Sequence, residues 1–111
     1  MAKDDYHVIA YRILVYLYAC LKEGAEPDLS IISAEELKIV PAYWEYVIRH
    51  LLKDGCIEGV TLYNVVGRKE PMLKFTDLKI TPIGIDYMES DSAMARAREF
   101  LKTIKDIIPG L

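Results

Sequence analysis

Between Val8 and Leu21 every residue is aliphatic, Tyr or Cys except Arg12. With Asp4-Asp5 before it and Gly24 and Pro27 after it, this block predicts one helix over about residues 5–22. Such a helix lacks the polar face that a surface helix turns to water, so it has to be covered on more than one side. A chain of 111 residues has room for one core, and 52% hydrophobic against 28% charged residues is the composition of a folded globule. The block is too short for a bilayer, which needs roughly 20 apolar residues. The acidic opening is the reverse of an export signal. One cytoplasmic domain over 1–111, with no membrane partner, is expected. Cys20 and Cys56 lie in apolar runs without a CxxC, which predicts two reduced, buried thiols.

Ser33-Ala34-Glu35-Glu36 is a capping-box pattern that opens a short helix carrying Leu37 and ending near Ile39. Pro41 suits the first turn of a new helix, which runs through Trp44, Val47, Ile48 and Leu51 to Asp54-Gly55. Two helices joined this tightly form a helix-turn-helix candidate over about 33–54. The texture then changes. Cys56 to Val66 is rich in β-branched and aromatic residues and reads as a strand; Gly67 to Pro71 reads as a loop; Met72 to Ile80 reads as a second strand. In that second strand the apolar parity shifts from Leu73/Phe75 to Leu78/Ile80, which predicts a bulge near Asp77.

Thr81-Pro82 starts a fourth helix, and Asp91 or Ser92 caps a fifth that should reach Ile108 before Pro109-Gly110. The fold expected is α+β: a winged helix-turn-helix with a three-helix core, a β-hairpin wing over about 56–80, and a C-terminal helical extension over about 82–108. The first helix is too apolar for a monomer of this size, and the fifth carries a stripe of coiled-coil type. A homodimer across a two-fold axis is therefore expected, its interface formed by Ile9, Ile13, Leu17, Met94, Ala97, Leu101, Ile104 and Ile108.

Catalytic signatures are missing: the chain contains no GxSxG, GxGxxG or P-loop, and its two histidines, His7 and His50, do not form a zinc spacing with the cysteines. No enzyme activity, metal or cofactor is expected. The acid pairs Asp4-Asp5 and Glu35-Glu36 sit at helix starts, where the dipole favours them. At about 100° per residue the third helix gathers Trp44, Val47, Ile48, Leu51 and Leu52 on one side, leaving Ala42, Tyr46, Arg49, His50 and Lys53 on the other. In a groove of double-stranded DNA, Arg49 would pair with guanine while Tyr46 and Lys53 met phosphates. Arg68 and Lys69 at the wing tip would straddle the backbone. Charge counts against this: the net charge is −3, residues 1–55 hold six basic and nine acidic groups, and Glu45 stands at the edge of the reading face.

The runs Tyr43 to Val60, Ile80 to Glu89 and Ile104 to Gly110 resemble the YjcQ family of small bacterial and phage-associated proteins. The resemblance spans nearly the whole chain and implies a winged-helix fold with DNA binding. Leu51, Gly55 and Ile57 would then shape the helix-to-strand corner, and Gly84 would allow close helix packing. The expectation is a DNA-binding, phage-associated transcriptional regulator. The alternative is a non-catalytic protein–protein interaction module on the same scaffold. A continuous positive band over Arg49, Lys53, Arg68 and Lys69 would favour DNA, and acidic groups breaking it would favour a protein partner.

Overall fold

In a computed structural model describing residues 1–111, the chain is α+β, with five α-helices and one two-stranded antiparallel hairpin. The helix α1 spans Tyr6–Glu23, α2 Ala34–Leu37 and α3 Pro41–Lys53. Strands β1, Ile57–Tyr63, and β2, Met72–Ile80, follow, and α4, Pro82–Ser90, and α5, Ser92–Thr103, close the order. No helix is long and apolar enough to cross a membrane.

Local chemistry explains the helix starts. Ser33 Oγ accepts from Glu36 N–H, Thr81 Oγ1 from Gly84 N–H, and the Asp91 carboxylate from the N–H groups of Ala93 and Met94. Each satisfies donors that a helix start leaves free. Asp5 holds the cap position of α1, but its carboxylate accepts from Ala2 N–H instead, tying down the N-terminal turn. Pro41 and Pro82 sit in first turns, where their missing N–H is harmless.

The covering that α1 needs comes from its own chain. It packs against α5, β2, α4 and α3, and Val8, Ile9, Ala10, Ile13 and Leu14 are wholly buried. This overturns the dimer-interface assignment. Ile9, Ile13, Leu17, Met94, Ala97, Leu101 and Ile108 are buried in the single-chain core, and Ile104 is half-buried against it. The two apolar stripes meet each other within one molecule, so no second copy is required to cover them. The fifth helix is also shorter than its periodicity implies. It stops at Thr103, and Ile104 is extended at φ −86° and ψ 150°, so Ile108 reaches the core from an irregular tail.

The hairpin carries the expected bulge. Glu58 pairs with Lys79 and Val60 with Phe75, so Gly59 alone stands opposite Thr76, Asp77 and Leu78. The extra residues on β2 turn Leu78 and Ile80 into the core. β1 ends at Tyr63 rather than Val66, leaving a loop over 64–71. A short 3-10 turn at Leu29–Ile32, capped by the Asp28 carboxylate, had no counterpart in the sequence pattern. Cys20 and Cys56 are buried and unpaired, and burial pushes the Cys56 thiol up from its ordinary pKa.

Candidate functional site

The α3 sequence sorts its residues as the helical period requires. Val47, Ile48 and Leu51 are buried and Trp44 and Leu52 half-buried, while Ala42, Tyr46 and Lys53 are exposed. Trp44 anchors the helix: its indole N–H donates to Ile32 C=O at 2.7 Å, and its ring centroid lies 5.8 Å from that of Phe75 on β2. That contact fixes the distance between α3 and the hairpin.

A groove of about 420 Å³ opens between α3 and the 64–71 loop, lined by Ala42, Glu45, Tyr46, Arg49, His50, Arg68 and Glu70. Five of the seven residues predicted to read DNA meet here. Lys53 and Lys69 do not line it, although both are exposed. Tyr46 and His50 stack at 4.0 Å between centroids, with His50 Nδ1 2.9 Å from Tyr46 C=O, and Tyr6 meets the Tyr46 ring edge-on.

Arg49 is not free to read a base. Its side chain is only 19% exposed; one Nη donates to Glu45 at 3.2 Å and to Pro71 C=O at 2.9 Å, and its Nε lies 4.0 Å from the Glu70 carboxylate. The same Glu45 oxygen accepts from Arg68 at 3.2 Å. Arg68 Nε also donates to Glu70 C=O. Glu45 therefore joins α3 to the base of the hairpin loop through two guanidinium groups. Shared charge-assisted bonds of this kind restrain both partners. The positive band anticipated over Arg49, Lys53, Arg68 and Lys69 is broken at its centre by Glu45 and Glu70.

Beyond the groove, the hairpin tip is apolar as well as basic. Leu62, Tyr63 and Val65 are exposed and Val66 is entirely so, alongside exposed Lys69 and Lys74. The strand reading of residues 56–66 had hidden this feature, because it placed Val65 and Val66 in the sheet.

The other tyrosines serve the fold. The Tyr16 hydroxyl oxygen accepts from Asp28 N–H at 2.8 Å, Tyr43 O–H donates to Asp4 C=O at 2.6 Å, and Tyr11 is buried. Burial for Tyr11 and hydrogen bonds for Tyr16 and Tyr43 tie these rings into the fold.

No curated protein and no solved structure matches the chain. The family model described as YjcQ protein matches residues 11–107, covering α1 through α5 almost entire, and the chain belongs to the YjcQ family.

Proposed function

We propose that the chain is a non-catalytic interaction module on a winged-helix scaffold, binding a protein partner through α3 and the hairpin. Three helices followed by a hairpin, with α3 second in the tightly joined pair, is the order on which the winged-helix reading rests. The observation that carries the choice of partner is Glu45, which engages both Arg49 and Arg68. A DNA-reading face exposes its guanidinium groups to phosphates and base edges, whereas here they are held by carboxylates. The exposed Leu62, Tyr63, Val65 and Val66 supply apolar area of the kind that protein interfaces bury.

DNA binding is the second reading, and the observation favouring it is that Lys53, Lys69 and Lys74 are exposed on the same two elements. Fluorescence anisotropy with mixed-sequence duplex at roughly 50 and 200 mM salt separates the two, because phosphate contacts weaken steeply over that range. The protein reading expects no saturable binding at either salt. Tight binding that collapses with salt and is lost in Lys53→Ala/Lys69→Ala would establish the DNA reading in its place. The positive arm compares wild type with Val66→Asp as bait: a partner held by the first and released by the second supports docking through the hairpin, and equal retention by both refutes it.

A further inference from the structure

Arg12, the one charge in the apolar face of α1, has its Nε buried with no hydrogen-bond partner. A second cavity, of about 300 Å³, opens at this side chain, walled by Lys3, Asp4, Glu36, Lys38 and Asp106 besides Arg12 itself. It shares no residue with the α3 groove. We propose that this cavity binds a small carboxylate ligand, whose oxygens take the planar fork of the Arg12 guanidinium.

The nearby acids do not pair with Arg12. Asp106 is committed to Lys3 Nζ at 2.9 Å, a bond that straps the N-terminal turn to the tail beyond α5. That bond is also the main reason why the Asp106 pKa lies below the ordinary carboxylate range. Burial lowers the Arg12 pKa, while Asp106 and Glu36 oppose this only as charges at a distance. A half-buried guanidinium without an acceptor is unfavourable, and a carboxylate matches its geometry through two parallel N–H···O bonds.

With Lys3 held by Asp106, Lys38 is the second cation of the wall outside an ion pair. It has a left-handed backbone, φ 58° and ψ 45°, the only residue other than glycine with positive φ in the chain. The three lining carboxylates set the class of anion. They balance the charges of Lys3, Arg12 and Lys38, and a wall with no net positive charge disfavours a dianion such as phosphate more than a monoanion. Leu37 and Ile107 complete the wall, so a short aliphatic or amino-substituted acid fits better than a fully polar one.

The test follows the Arg12 Nε–H resonance by NMR at pH 7, identified by its loss in Arg12→Lys, during titration with acetate, inorganic phosphate and chloride. Expected is a saturable shift with acetate, no saturation with chloride, and weaker binding of phosphate than of acetate. Lys38→Gly, which relieves the left-handed backbone while removing the cation, should weaken acetate at least threefold. Asp106→Asn, which removes a competing carboxylate, should tighten it by a similar factor. A shift that grows linearly and equally with acetate and chloride would overturn the proposal. Tighter binding of phosphate would overturn the assignment to carboxylates, and unchanged acetate affinity in both cavity variants would place the binding elsewhere.

Discussion

Gly59 lies so close to the Asp77 carbonyl across the hairpin that a Cβ on Gly59 would overlap it, and its φ of 83° belongs to the left-handed region. The bulge that turns Leu78 and Ile80 inward therefore depends on a residue with no side chain. Gly59→Ala meets both a backbone penalty, about 1 kcal/mol at positive φ, and a collision with main chain that cannot rotate away. The expected loss is above about 2 kcal/mol, read as a lower urea midpoint with an unchanged slope. Gly24→Ala is the control, since Gly24 has φ 67° but nothing within 4 Å of its Cβ position. It should show the backbone penalty alone. Equal losses for the two would mean that the close approach at Gly59 is absent.

The contact between α1 and α5 makes a second prediction. Leu101 is 2% exposed and Met94 wholly buried, both in the same cluster as Ile9, Ile13 and Leu17. Leu101→Ala should cost roughly 2–5 kcal/mol, the range for deleting a large buried aliphatic group. Because the cavity lies inside one chain, the loss should be the same at every protein concentration. A destabilisation that fades as concentration rises would instead return these residues to an interface between copies.

Much of this arrangement is legible in the sequence because it is local. The caps at Ser33, Thr81 and Asp91, the prolines at helix starts, and the parity shift near Asp77 all act over a few residues, and each feature stands where the sequence predicts it. Gly84 does sit at a close approach, but its neighbour is Cys56 C=O in the corner before β1, not a second helix. What failed depended on distant parts of the chain. The sequence points to α1 packing on the α5 stripe between two copies, but the two helices, some eighty residues apart, meet within one chain. Ile104 and Ile108 continue the helical spacing although the backbone has already left the helix. Glu45 was visible as an edge charge, but its hold on Arg68 exists only once the hairpin folds back beside α3. Arg12 interrupted the apolar run without revealing that its Nε would be left unpaired.

Alkaline pH should unfold the protein sooner than its tyrosine content alone implies. Burial, the largest cause in each case, raises the pKa of Tyr6 and pushes that of Tyr87 up to about 12; further causes are the charges of Tyr87, Asp54, Cys56 and Tyr46 around Tyr6, and those of Asp91, Cys56 and Asp54 around Tyr87. A group whose folded pKa is raised binds its proton more tightly in the native state. Its contribution is therefore complete below the unfolded value, about 10, and is lost as pH climbs towards the folded value. Stability should be flat up to about pH 9 and then fall steeply to pH 12. Tyr87→Phe should flatten that fall, as measured by urea midpoints taken at successive pH values. An identical alkaline limb in the variant would show that Tyr87 ionises as freely as in the unfolded chain.

Glu45 offers the last prediction, because its two ion pairs differ in what they restrain. The bond to Arg49 lies within α3, four residues along, and links no second element. The bond to Arg68 spans from α3 to the 64–71 loop, whose backbone is otherwise pinned by Arg68 N–H to Val65 C=O and by Arg49 to Pro71 C=O. Glu45→Gln keeps the size of the side chain and removes the charge that holds both guanidinium groups. Global stability should fall by roughly 1–2 kcal/mol, because Arg49 is only 19% exposed while Gln keeps an oxygen that accepts from both guanidinium groups. The local effect should be larger: faster amide exchange at Arg68 and greater backbone mobility across the loop, with β1 and β2 unchanged. The same variant weakens the hold on Arg68, whose other bond is to Glu70 C=O, and leaves more positive charge beside Tyr46. Weak duplex DNA binding at low salt, absent from wild type, should then appear in Glu45→Gln. Unchanged exchange at Arg68 together with unchanged DNA binding would mean that Glu45 neither fixes the loop nor screens the arginines.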